Sequence, residues 1–268
     1  MSDCASRTAR SLAVVLGLAV AGSAAAADLT PHRALYTLNL ERSDPDSGVS
    51  GVSGTMAYDL GETCEAWTVE QRYRLKMEYS EAADVTIASS LESSEAKNGL
   101  RYRFDHKETR SGEEERTAGT AKLEGRDKGG TVEFDKPLDK KIKLPPLVFF
   151  PTAHTAVLID KAAAGENFVS RQVFDGAMAD APVLVSAVIG PRVTPDPDLV
   201  RKSPLLDRPG WRVRLAFFPP DQKVEKPDYE ISMVLLENGV ARDMVIDYGD
   251  YAIRARLDDI EPLAKPGC

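Results

Sequence analysis

The reactivity of this 268-residue chain rests on three cysteines, three histidines and scattered hydroxyls and carboxylates. His32, His106 and His154 lie far apart, and none stands near a second ligand at metal-binding spacing, so no metal site is expected. His106 closes an alternating stretch and reads as an ordinary strand residue, and His154 as a packed, hydrogen-bonded helix side chain. A serine nucleophile needs an elbow such as G-x-S-x-G, and the strings GVSGV and GVSGT do not supply one. Ser94-Glu95-Ala96-Lys97 fits S-x-x-K but lacks the companion motifs of that chemistry. There is no Gly-rich phosphate loop. Asp196 and Asp198 in TPDPD are flanked by prolines that remove the spacing a calcium loop requires, and they read as part of a solvated loop. These residues form no catalytic constellation. The chain is expected to be neither an enzyme nor a cofactor binder, and a hydrolase or lyase with a site scattered along the chain is the least supported reading.

The cysteines depend on compartment. Arg7 and Arg10 precede an apolar run from Leu12 to Val20, and small residues follow up to Ala25-Ala26-Ala27. A run this short, followed by small residues, is a secretory signal peptide rather than a membrane span, with cleavage expected near Ala27. Cys4 lies in the charged region ahead of the run and leaves with it. The mature chain from Asp28 is then exported to the periplasm, without a transmembrane segment, and keeps Cys64 and Cys268. An oxidising compartment favours joining such a pair, the alternative being two unpaired thiols. Losing Arg7, Arg10 and Asp3 takes the formal net charge from −8 to −9. That acidic, scattered balance argues against nucleic acid and against docking on anionic lipid.

The elements that hold these residues are mostly strands. In CEAWTVEQRYRLKMEYS, Trp67, Val69, Tyr73, Leu75, Met77 and Tyr79 fall on one face and Glu70, Arg72, Arg74, Lys76 and Glu78 on the other, as in a half-wet antiparallel strand. Ala34 to Leu40, Val52 to Leu60, Leu100 to Phe104, Val132 with Phe134, Phe168 to Phe174, Val183 to Ile189, Trp211 to Phe217, Tyr229 to Leu235, Met244 to Tyr248 and Tyr251 to Leu257 read the same way. The stretch RSGEEERTAG and Arg126 to Gly130 read as hairpin tips, Asn238-Gly239 as a hairpin turn, Asp247 to Asp250 as a second turn, and the Pro-rich segment from 190 to 210 as an exposed loop. One helix is expected from Thr152, as N-cap, to a stop at Gly165. The fold expected is mainly β: one large curved antiparallel sheet, a β-spiral or open barrel, with one central helix and a single domain over 28–268.

One apolar run, LPPLVFFPTAHTAVLI, leaves function and packing in competition. Phe149, Phe150, Val157 and Leu158 could line or plug a greasy cavity for a lipid or lipidated protein, or the helix could simply fill the concave face as core.

TCEAWTVEQRY at 63–73, FFPTAH at 149–154, VFDG at 173–176 and the ending IDYGDYAIRARLDDIEPL followed by Cys268 resemble the EipB-like cell-envelope integrity proteins of alphaproteobacteria, a family formerly known only as a domain of unknown function. The resemblance spans essentially the whole mature chain. It implies a spiral, many-stranded sheet similar to periplasmic lipoprotein carriers, a Cys64–Cys268 disulfide, and a non-enzymatic role in envelope integrity and stress resistance through a tetratricopeptide-repeat partner. Ala66 departs from the pattern, where glycine is common, and this touches backbone freedom only.

Overall fold

The computed structural model describes residues 27–220 and 225–268, so the expected signal peptide lies outside the described residues up to Ala26. Strands β1 (His32–Ser43), β2 (Val49–Glu62), β3 (Ala66–Tyr79), β4 (Val85–Ala96), β5 (Arg101–Arg110), β6 (Glu113–Gly125), β7 (Gly129–Lys136) and β8 (Lys141–Leu144) each pair with the next in an antiparallel meander. Helix α1 (Pro151–Ala163) follows. A second meander comprises β9 (Phe168–Val173), β10 (Val183–Val193), β11 (Gly210–Phe218), β12 (Tyr229–Leu236), β13 (Ala241–Asp247) and β14 (Tyr251–Pro262). The last strand, β14, pairs with β1, which fuses both meanders into one 14-stranded antiparallel sheet with β8 and β9 at its two ends. A twisted sheet this wide has to coil. The curved β architecture expected from the alternation is therefore present.

Burial follows the pleat. In β3, Leu75 and Met77 are buried while Glu70, Arg72, Arg74, Lys76 and Glu78 are exposed. Three apolar clusters result: a central one around β1, β2, β3 and β14, one joining α1 to β9, β10 and β11, and an aromatic one around β5, β6 and β7. The residues just before α1 also tie down the end of the sheet: the Phe149 N–H donates to the Gln172 carbonyl at 2.9 Å and the Phe174 N–H to the Phe149 carbonyl at 3.0 Å.

Four expectations need correction. A second, short helix, α2 (Pro197–Val200), interrupts the segment read as loop, so α1 is not the only helix. Asp196 caps α2, accepting from the Asp198 N–H at 2.9 Å, which is the role of the TPDPD acids. The same segment is not wholly exposed, because Leu205 and Leu206 pack into the central cluster and the Leu205 carbonyl accepts from Asn238 at 2.9 Å. The N-cap of α1 is Phe150, not Thr152, because Pro151 takes the first helical position, where a missing N–H costs nothing. Finally, RSGEEERTAG is mostly strand: the tip is only Ser111-Gly112, both at positive φ, the twist a two-residue hairpin needs, and β6 begins at Glu113.

Candidate functional site

Three features concentrate the chemistry: a covalent clasp, the mouth of α1, and a cleft on the inner face of the sheet. The clasp joins Cys64, in the β2–β3 turn, to Cys268, with Cα atoms 5.8 Å apart. The tail leading to it runs past the start of β1, where the Leu263 N–H donates to the Pro31 carbonyl at 3.0 Å and Lys265 lies 3.7 Å from Asp28. Both cysteines are exposed.

The mouth of α1 is held by a residue the sequence reading treated only as part of a chance motif. Phe150 has no side chain able to cap the helix, so the first N–H groups need another acceptor. Glu95, reaching in from β4, accepts from the Thr152 and Ala153 N–H groups at 2.8 Å each. Glu95 is 2% exposed. Burial raises its carboxyl above the ordinary range, and the two helix N–H groups work in the opposite direction. A carboxylate at the positive end of a helix is the arrangement the backbone dipole favours.

The four apolar residues singled out at this mouth do not act as a set. Phe150 is fully buried and stacks on Tyr102 with ring centroids 5.2 Å apart. Leu158 is buried in a different cluster, against β9 to β11. Phe149 is half-buried under Arg126, 5.3 Å from its ring centroid, and Val157 is half-buried at the edge of the helix cluster. The cavity beside the first turn of α1 holds about 110 Å³, lined by Leu29, Tyr58, Val69 and Tyr102 among others.

A larger cleft, about 560 Å³, opens between β3–β6 on one side and the 173–183 segment with β11–β12 on the other. Its floor carries a pair that sequence spacing did not reveal. Ser89 Oγ lies 3.0 Å from His106 Nε2, and His106 Nδ1 lies 3.1 Å from the Ala177 carbonyl. A carbonyl only accepts, so Nδ1 carries a proton, and in the neutral ring Nε2 accepts from the serine hydroxyl. Beside them Tyr73 donates to Glu108 at 3.1 Å, and burial pushes the Tyr73 hydroxyl up to about 12. Across the cleft Phe217 stacks on Tyr229 with centroids 4.4 Å apart. Asp175, also in the lining, is raised by burial.

A serine bonded to an oriented imidazole is the start of nucleophilic chemistry. That chemistry also needs donors aimed at a developing oxyanion. Ser89 sits in mid-strand, in register with Tyr73 on β3 and Glu108 on β5, so the backbone around it is committed to the sheet. The pair is a part-buried polar contact on the floor of the cleft and lacks the elbow that presents a nucleophile. The other histidines are packed, but His154 is not the hydrogen-bonded side chain expected, because its buried Nε2 has no hydrogen-bond partner among the described residues. His32 is buried, with Nδ1 2.8 Å from the Thr30 carbonyl, and desolvation lowers it. His154 lies in α1, where burial, with Arg171 adding to it, lowers the ring to about 4.

The VFDG stretch has a steric explanation. Phe174 joins the aromatic cluster, Asp175 faces the cleft, and its carbonyl accepts from the Tyr102 hydroxyl at 2.8 Å. Gly176 has φ +75°, and a Cβ there would lie 2.4 Å from Cγ of Phe104, so only glycine fits.

The model of the EipB-like family matches residues 23–264. The chain is 34% identical over 247 residues to the "Cell envelope integrity protein EipB" of Brucella abortus (strain 2308), covering 90% of this chain and 87% of that protein. In structure it is similar to a beta-barrel-like protein of domain of unknown function DUF1849 from Brucella abortus, with TM-score 0.82 and 33% identity over 89% of this chain and 100% of the other.

Proposed function

The chain belongs to the EipB-like family, and from that membership we propose that it maintains the cell envelope as a non-enzymatic periplasmic protein that binds another envelope protein. The observation that carries this reading is similarity along nearly the whole chain to a protein named for cell envelope integrity. Among the described residues, no helix is long and apolar enough to cross a membrane. The exposed clasp agrees with an oxidising compartment, where an isolated disulfide persists. The partner is a periplasmic tetratricopeptide-repeat protein, the class the resemblance implies. The irregular segment from 190 to 210, anchored by Leu205 and Leu206 and otherwise largely at the surface, is a candidate contact.

The cleft supports a second reading, that of a carrier. Its volume of about 560 Å³ lies in the range of small-molecule sites. Its lining mixes Leu91, Val173 and Phe217 with Glu108, Asp175 and Asp228, which suits a ligand with a polar end better than a bare acyl chain. Mass spectrometry of organic extracts from natively purified protein separates the two readings: the partner-binding reading expects no stoichiometric lipid, and a lipid recovered one-to-one would favour the carrier.

The primary test is genetic. Deletion of the gene is expected to sensitise cells to detergent and other envelope stress, and both the wild-type chain and Ser89→Ala are expected to restore resistance. Failure of a well-folded Ser89→Ala protein to complement would sink the non-enzymatic part of the proposal.

A further inference from the structure

We propose that the leader is removed at the Ala26–Ala27 bond, one residue earlier than the bond after Ala27, and that the new α-ammonium group of Ala27 docks on Asp160 of α1. The Ala27 nitrogen lies 2.8 Å from Asp160 Oδ1 across 133 residues of sequence, in a partly buried position. Ala27 itself packs against the cluster between α1 and the β9–β11 sheet. A chain beginning at Asp28 forfeits both contacts.

Asp160 gives an independent reason. It stands four residues before Ala164, the C-cap of α1, where the negative end of the helix dipole disfavours a carboxylate. The basic residue of that turn, Lys161, is engaged with Glu166 at 2.7 Å. Among the described residues no lysine or arginine side chain forms an ion pair with Asp160. A cation placed by the chain terminus supplies the missing compensation, and an ammonium strengthens a hydrogen bond that a neutral amide would make weakly. Asp28, by contrast, is mostly exposed, and its side-chain carboxylate faces Lys265 at 3.7 Å.

The covalent step is hydrolysis by a leader-cleaving protease. Water adds across the Ala26–Ala27 amide; Ala26 leaves as a carboxylate, and the Ala27 nitrogen takes up protons to become an ammonium at neutral pH. Ala24 and Ala26 then occupy the small-residue positions that such cleavage requires.

N-terminal sequencing of the exported protein tests this directly, and the expected first two residues are Ala and Asp. Asp as the first residue overturns the inference while leaving the export reading intact, and an uncleaved leader overturns both. In protein that starts at Ala27, Asp160→Asn is expected to lower the melting temperature at pH 7 by about 2–4 °C. Chemical acetylation of the terminal amine should lower the wild type similarly and leave Asp160→Asn unmoved. A melting temperature indifferent to both Asp160→Asn and acetylation would refute the docking.

Discussion

Breaking the Cys64–Cys268 clasp should destabilise the protein without altering its native structure. The bond spans 204 residues, and the loop-entropy relation assigns about 5 kcal/mol to closing a loop of that length in the unfolded chain. For the roughly 240 residues of the described fold the unfolding entropy is about 0.5 kcal/mol per degree, so the loss corresponds to a fall of about 10 °C in melting temperature. Without the bond, the native tail still has the Leu263–Pro31 hydrogen bond, and β14 still pairs with β1 along its length. The clasp therefore constrains the unfolded chain more than it positions the folded one. Thermal melts followed by circular dichroism, with and without reductant, measure this for Cys64→Ser, Cys268→Ser and the double variant. All three should melt together, about 10 °C below the wild type, with unchanged native spectra, and reduced wild type should join them. Single variants that differ from one another, a double variant below both, or shifts under about 3 °C would refute the reasoning.

Other substitutions probe the interior. Glu95→Ala leaves the Thr152 and Ala153 N–H groups without their acceptor and should cost about 3 kcal/mol, whereas Glu95→Gln keeps one acceptor and should cost less than half of that in denaturant titrations. Gly176→Ala drives a methyl into the Phe104 ring at a positive-φ position and should destabilise by at least about 2 kcal/mol on the same measurement. His154, depressed from 6.5 to about 4, is neutral in the fold and must charge on unfolding in acid. Its contribution is complete above pH 6.5 and is lost as pH falls toward 4, amounting to about 3 kcal/mol, so His154→Leu should flatten the stability profile across that window.

What could be read from the sequence divides along physical lines. β3 was legible because its inward positions are large and apolar and its outward ones charged. β4 was not, since its inward residues include Ser89, Ser93 and Glu95, small or polar groups that mask the two-residue period. The most informative interior chemistry sits on that unread strand: the cap of α1 and the serine facing His106. A cap supplied from 57 residues away leaves no local signal, and a diagonal contact between two strands shows no motif spacing. The Cys64–Cys268 pairing, favoured by counting on the expectation of a removed leader and implied by the family resemblance, is present in the fold. The pairing of β1 with β14 depends on how the whole sheet coils, which no local pattern encodes.

The central claim is that this sheet serves the envelope by holding a partner. The most direct measurement is in-cell crosslinking of the chain followed by native purification and identification of what remains attached. One reproducible periplasmic tetratricopeptide-repeat protein, recovered from wild type and from Ser89→Ala alike, is the predicted result. No reproducible protein in either, with a lipid bound one-to-one instead, would contradict it.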